Sequence, residues 1–342
     1  MDFAALPLWA IIATFFAAAG VLLVVGSRFA ALVDQIADRT GLGEALAGAV
    51  LLGATTSLPG LLTSVIAAWE GQAGFAVSNS VGGIAAQTTF LAIADMAYRR
   101  VNLEHAAASL PNLLQSVVLI MLISTVLFAR GTPEITVLGV HPVTALLLAA
   151  YLYGMRMARQ ERDDPMWKPT ETDQTVVYEP DQDDSASDLS LPALWGRFGL
   201  MAGTVALSGF VIARSGLALA EVTPLSGTVV GGLFTSVASS LPELVTVIAA
   251  VRIGALTLAV SDIVGGNIFD VLFVGAADIA YRDGSVYHAL REQDLFLMAL
   301  TLMLAAILAA GLIHRQMKGI GFEGFAIVGL YVVGFILLFT GG

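Results

Sequence analysis

The sequence predicts an all-α polytopic membrane protein, with ten transmembrane helices in two inverted five-helix repeats. Three observations carry this. The 342-residue chain is 57% hydrophobic and 13% charged, with a mean hydropathy of +0.84, where a soluble domain carries about 25% charged residues. Apolar stretches long enough to cross a ~30 Å hydrocarbon core recur along its length. Part of its first half returns in its second at one constant offset. The same composition excludes a soluble enzyme, a disordered chain and a nucleic-acid binder, since 16 Lys+Arg stand against 27 Asp+Glu and leave no basic footprint. With no cysteine, disulfides and thiolate metal sites are excluded.

The acid is concentrated. Ten of the 27 acidic residues fall between Glu161 and Asp188, with only Arg162 and Lys168 against them. This stretch, with Pro165, Pro169 and Pro180, cannot build a core and reads as a solvated linker over 157–190. Its acids lack the spacing and central glycine of an EF-hand loop.

Five spans precede the linker, at about 5–27, 44–68, 73–97, 110–129 and 135–155. Five follow it, at about 192–213, 226–250, 254–280, 294–313 and 322–340. The first lacks a basic n-region and is too long for a signal peptide, so it is expected to be retained. The halves are therefore 1–156 and 191–342. Sorting Lys and Arg by loop puts twelve on the linker side and four, Arg130, Arg214, Arg282 and Arg291, on the other. The positive-inside bias puts the linker in the cytoplasm and both termini outside.

The repeat runs at an offset of 183 residues. Ser57-Leu58-Pro59 pairs with Ser240-Leu241-Pro242, Val81-Gly82-Gly83 with Val264-Gly265-Gly266, and Asp95 with Asp278, among 19 identities in the 43 positions from 57 to 99. Gly20, Gly26 and Gly48 match Gly203, Gly209 and Gly231. Because each unit holds an odd number of spans, the second enters the membrane from the opposite side, the inverted-repeat plan of secondary transporters.

The repeat carries chemistry. Pro59 and Pro242 remove a backbone N–H in mid-span and free the carbonyl four residues back, beside the hydroxyls of Thr55, Thr56, Ser57, Ser239 and Ser240. The Val-Gly-Gly of each third span is a second expected break or close-packing point. Interrupted helices at matching places in two halves point to a midplane site. Glu243 and Asp270 project into it, with Asn267 and Gln87 as further oxygen donors. An intramembrane carboxylate is expensive and is read as functional by default. The set is hard oxygen, suited to Ca2+, Na+ or protons rather than to zinc or copper. Asn79 and Asp262, repeat partners, fit a vestibule or a helix cap equally. Asp95 and Asp278 are expected to pair at the interface, Glu44 and Glu70 to end spans. The histidines at 105, 141, 288 and 314 are assigned to loops or interfaces rather than ligation.

Thr56-Ser57-Leu58-Pro59, Ser239-Ser240-Leu241-Pro242-Glu243 and Val264-Gly265-Gly266-Asn267-Ile268-Phe269-Asp270 resemble the two α-repeats of the cation/Ca2+ exchanger superfamily, with prokaryotic sodium/calcium exchangers the nearest type. The resemblance implies ten helices in two inverted halves, a site on spans 2, 3, 7 and 8, and sliding of spans 1 and 6 across that core. It implies Glu243 as main ligand of Ca2+ and Na+, Asp270 and Gln87 as the acidic or amide positions of spans 8 and 3, and Thr56, Ser57, Ser239 and Ser240 as hydroxyl and carbonyl ligands. The carbonyls of Gly53 and Ser236 fall where the family holds an outer sodium. No cofactor is implied; the partners are the bilayer and inorganic cations, and the place is a prokaryotic plasma membrane. Three positions depart from the pattern. Gly60 stands where a second glutamate is usual, Gly83 and Gly266 where a small hydroxyl is, and Ile84 where the first asparagine is.

Glu243 and Asp270 together balance one Ca2+, two Na+ or two protons. The expected activity is therefore cation antiport, Na+/Ca2+ exchange first, with proton/cation exchange as the alternative. An intramembrane aspartyl enzyme and a non-transporting sensor are the more remote readings. The first lacks a facing Asp pair, and the second would follow from the eroded first repeat.

Overall fold

A computed structural model of the chain describes residues 3–40, 56–98, 102–163, 170, 190–253, 256–316 and 321–340. Among these the regular elements are helices, with one isolated bridge between Val137 and Val140. In chain order they are α1 (Leu8–Thr40), α2 (Leu58–Trp69), α3 (Ala73–Tyr98), the single turn α4 (Leu103–Ala106), α5 (Leu110–Arg130) and α6 (Pro142–Asp163). There follow α7 (Leu191–Val222), α8 (Gly227–Ser239), α9 (Leu241–Ile253), α10 (Leu256–Asp270), α11 (Leu272–Ala280), α12 (Glu292–His314) and α13 (Phe322–Thr340).

Six stretches of described helix are long and apolar enough to cross a membrane: Leu8–Phe29, Leu110–Arg130, Leu191–Val222, Ala259–Ala280, Glu292–His314 and Phe322–Thr340. The bent pair α8–α9 makes a seventh if taken as one span. The remaining three expected spans differ for separate reasons. Of 44–68 only the part from 56 is described, and α2 is a short apolar helix. At 26 residues α3 is about 39 Å long, but it is loaded with Ser78, Asn79, Ser80, Gln87, Thr88 and Thr89, all buried inside the protein. The fifth starts later than the expected 135, because Leu138 and Gly139 turn the chain with positive φ and Pro142 opens α6. It runs to Asp163, past the expected linker start at 157. Likewise α1 continues to Thr40 beyond the expected 27, and α7 to Val222 beyond 213. A helix keeps its internal hydrogen bonds whatever solvent surrounds it, so hydropathy marks where the lipid ends and not where the helix does.

Both expected proline breaks have a local cause in the structure. Pro59 sits in the first turn of α2 and Pro242 in that of α9, where a missing N–H costs nothing. Each proline therefore starts a helix instead of kinking one. Ahead of Pro242 the chain is a π-helical turn over Val230–Thr235, and α8 and α9 meet at 49°. The two Val-Gly-Gly stretches are not breaks. α3 passes through Gly82-Gly83 and α10 through Gly265-Gly266 without interruption. Gly82 lies against the Gly232 backbone of α8 with no room for a Cβ, so its glycine serves close approach. The interruption between α10 and α11 falls later, at Val271, whose N–H reaches the Asn267 carbonyl at a long 3.3 Å.

The loops sort to two ends. At one, Arg214 pairs with Glu70, and Arg282 lies over the Trp69 ring at 5.4 Å. At the other, the Arg315 guanidinium donates to the carbonyls of His105 and of Thr170 in the acidic segment.

Equivalent residues at the 183 offset repeatedly make equivalent contacts. The Leu103 N–H donates to Asp95 at 2.8 Å, and the Val286 N–H to Asp278 at 3.1 Å. His105 Nδ1 meets the Arg315 carbonyl at 2.8 Å, and His288 Nε2 the Thr132 carbonyl at 2.7 Å. Asp95 and Asp278 thus both tie down loop backbone. Gly26 of α1 lies on Pro242, where a Cβ would come within 2.6 Å of its ring; Gly209 of α7 lies on Pro59, with 2.6 Å to its Cα. The long helix of each half thus rests on the site-forming proline of the other.

That reciprocal contact yields a prediction. Gly209→Val overpacks the α7–Pro59 contact, at a cost of about 1–3 kcal/mol. It is expected to lower the thermal midpoint of the purified protein and slow its transport. Gly203→Val on the same helix, with nothing within 4 Å of its added Cβ, is expected to leave both unchanged.

Candidate cation-binding site

The helix starts at Pro59 and Pro242 and the polar face of α3 converge with the end of α10 on one small cavity. Its lining is Ser57, Gly60, Asn79, Gly83, Gln87, Ser239, Ser240, Glu243, Asp270 and Phe273. Its volume of about 10 Å3 is the room of roughly one water-sized sphere.

The hydrogen bonds follow the repeat. Ser57 Oγ donates to Asp270 Oδ1 at 3.1 Å, and Gln87 Nε2 donates to Ser240 Oγ at 3.2 Å. Ser57 and Ser240 are partners at the 183 offset, as are Gln87 and Asp270. The two bonds therefore join repeat-equivalent pairs, each crossing from one half to the other, with the serine donating in the first and accepting in the second. Gln87 Nε2 also reaches Asp270 Oδ2 at 2.7 Å, joining the equivalent side chains across the centre. Ser80 Oγ donates to the Asp270 carbonyl at 2.6 Å. Two donors thus hold the Asp270 carboxylate.

Glu243 is held less. The Thr56 hydroxyl is hydrogen-bonded to its carboxylate, and Asp270 and Asp262 are the acidic groups whose charges act on it. Its Oε2 is buried and has no partner. Gln87 Oε1 and Asn267 Oδ1 are also buried without a donor. Buried polar atoms are ordinarily satisfied, so three donorless oxygens in this neighbourhood describe a place built for something positive.

The expected donors separate into four groups. Ser57, Gln87, Ser239, Ser240, Glu243 and Asp270 line the cavity, and Thr56 reaches it through Glu243. Asn267 stands just outside, its Nδ2 donating to Thr88 Oγ1 at 3.1 Å. The Ser236 carbonyl is occupied by Ser239 Oγ and the Ser240 N–H, each at 3.1 Å. Gly53, Thr55 and Glu44 lie outside the described residues. Asn79 proves to be a member of the site: its Nδ2 donates to the Gly60 carbonyl and Ser64 Oγ, and its Oδ1 accepts from Thr235. Its partner Asp262 lies on the accessible side of α10 and accepts from Thr246.

The sequence reading missed two features. Phe273 closes the cavity from α11, its Cε2 only 2.9 Å from where a Gly60 Cβ would stand. It falls three residues after Asp270, the spacing of one helix face. His105 and His288 are a further repeat pair, 183 apart and C-terminal to the 57–99 and 240–282 segments.

A multi-pass all-helical protein with buried carboxylate, amide and hydroxyl oxygens around one ion-sized space is a cation carrier in form. The comparisons with known proteins agree. The sodium/calcium exchanger protein family matches residues 10–157 and again 193–340, and this chain belongs to that family of membrane antiporters. It is 24% identical over 316 residues to the putative antiporter CaxA of Alkalimonas amylolytica, covering 86% of this chain and 89% of that one. Its fold is similar to that of the H+/Ca2+ exchanger CAX, with TM-score 0.67 and 13% identity over 95% of this chain and 82% of the other. It is also similar to the sodium-calcium exchanger NCX_Mj, with TM-score 0.57 and 17% identity over 96% and 98%.

Proposed function

We propose that the chain exchanges Ca2+ for Na+ by alternating access at a single midplane site built on Glu243 and Asp270. The observation that carries this reading is the donorless Glu243 Oε2, beside Gln87 Oε1 and next to a carboxylate already held in place. A hard cation supplies the charge those oxygens lack. The proposal takes ten spans in two inverted halves, 1–156 and 191–342, around a cytoplasmic linker at 157–190, with both termini outside, in a prokaryotic plasma membrane. The two separate family matches and the paired hydrogen bonds at the 183 offset support it. Ca2+ as cargo is supported by the names of the similar exchangers.

The ligand set is Glu243, Asp270, Gln87, Thr56, Ser57, Ser239 and Ser240, with Asn267 supporting. Gly53 and Ser236 would serve an outer sodium in another conformation. Each gating step slides α1 and α7 over the prolines on which Gly26 and Gly209 rest.

A second reading takes protons as the counter-ion. Gly60 leaves two carboxylates in the cavity, which two protons balance as well as two Na+. Radiolabelled Ca2+ uptake into proteoliposomes separates the readings. Uptake driven by an outward Na+ gradient at equal pH is the expected result. Uptake driven only by a pH gradient in sodium-free buffer assigns the exchange to protons, and no uptake under either gradient overturns both.

A further inference from the structure

A second group of buried acids lies well away from the transport cavity. Asp95 is on α3, eight residues or about 12 Å beyond Gln87. Glu104 is in the single turn α4, and Glu323 opens α13. Glu104 and Glu323 are fully buried, and Asp95 is 2% exposed. Asp95 Oδ1 accepts the Leu103 N–H, and Glu323 Oε1 accepts Asn102 Nδ2 at 2.9 Å. The other four oxygens, Asp95 Oδ2, both of Glu104 and Glu323 Oε2, have no donor.

The equivalent corner of the other half shows what is unusual. There Asp278 accepts from the Val286 N–H, the His141 N–H and Thr144 Oγ1, and Tyr287 OH meets the same Thr144 hydroxyl. Every oxygen of that carboxylate is used. At the 183 offset Glu104 replaces Tyr287, and Glu323 replaces Val140. The first half therefore adds two carboxylates to a corner that works with one, and among the described residues adds only the Asn102 amide as a donor to them.

We propose that Glu104 and Glu323 hold a proton between them, and that this proton clamps the α3–α5 connection to the start of α13. The three buried carboxylates act on one another's charge, with Glu104 and Glu323 within hydrogen-bonding reach; such a group cannot all ionise, and a shared proton supplies the donor that its carboxyl oxygens lack. Among the described residues no basic group forms an ion pair with the three acids. His105 turns its Nδ1 to the Arg315 carbonyl, and the Arg315 guanidinium donates to the His105 and Thr170 carbonyls. α12, which packs on α4, ends in His314 and Arg315, and α10 brings Asp262, which accepts from Thr246. A metal is a poorer fit, since among the described residues no three His, Asp or Glu side chains are arranged to hold one.

Burial pushes Glu104 well above its ordinary value of 4.5, and the charges of Asp95 and Glu323 push the same way. The folded state therefore keeps a proton that the unfolded chain has released. Stability is then lost as pH rises from 4.5 through the raised value.

The test uses the purified full chain in detergent. Its infrared spectrum near neutral pH is expected to show a protonated-carboxyl C=O band that is lost in both Glu104→Gln and Glu323→Gln. Its thermal midpoint is expected to fall by about 5 °C between about pH 5 and about pH 9, and either variant should at least halve that fall. A band that survives both substitutions, or a pH profile that neither changes, overturns the proposal. So does a midpoint raised by Ca2+ rather than by acid, with that response lost in Glu104→Gln, since the corner would then be a cation site. If Glu104→Gln does not fold, Glu323→Gln and the wild-type spectrum decide alone.

Discussion

Glu243→Gln is expected to abolish cation exchange. The substitution keeps shape and hydrogen-bonding length, so the α9 start and its packing survive. It removes one of the two negative charges in the cavity, and the less restrained of the two. Two unit charges 4 Å apart are worth about 4 kcal/mol at an effective dielectric of about 20, and a divalent ion about twice that. Each 1.4 kcal/mol is tenfold in affinity, so uptake of Ca2+ should drop by more than about 100-fold. Asp270→Asn should behave differently. Asp270 accepts from Ser57 and Gln87, and an amide in its place can turn its oxygen to only one of them. The loss there should combine weaker binding with a lower thermal midpoint. Proteoliposome uptake alongside thermal unfolding separates the two effects. Unchanged flux in Glu243→Gln would sink the site assignment.

The chemistry of this site was legible in sequence where it lay inside a repeated motif. Ser57, Ser240, Pro59, Pro242, Gln87 and Asp270 all fall on one register, and the two serines, Gln87 and Asp270 are joined by hydrogen bonds between repeat-equivalent pairs. Helix ends were less legible, because hydropathy follows the lipid. α1 and α6 keep turning after their apolar residues stop. The glycine pairs misled in part. A Gly-Gly in a span fits a break or a close contact equally well, and only the Gly232 backbone lying against Gly82 settles it. Asn79 was ambiguous for the same reason, since its three partners come from α2 and α8. What fills a missing side chain's place was not legible at all. Gly60 is a gap in the motif, but the ring that occupies it arrives from α11, more than 200 residues later.

That ring decides how the gap can be refilled. Restoring the usual glutamate by Gly60→Glu alone is expected to fail, because its Cβ would stand 2.9 Å from Phe273 Cε2, a buried ring edge with little freedom to move. The overpacking costs about 1–3 kcal/mol, and a third carboxylate beside Glu243 and Asp270 adds repulsion until a cation arrives. Phe273→Leu deletes the ε carbons and keeps most of the apolar fill; its Cδ2 equivalent, at 3.6 Å, is an ordinary contact. The double variant Gly60→Glu/Phe273→Leu should therefore regain the stability the single variant loses. It should also bind Ca2+ more tightly, by about tenfold or more, the return on even a third of the ~4 kcal/mol that one added charge offers. Three negative charges leave one uncompensated by Ca2+, so the double variant should carry an extra monovalent cation per cycle. The measurements are the Ca2+-induced shift in thermal midpoint and the charge moved per Ca2+ in proteoliposomes held at fixed voltage. If the double variant melts no higher than Gly60→Glu alone and gains no affinity for Ca2+, Phe273 is not what occupies the vacant ligand position.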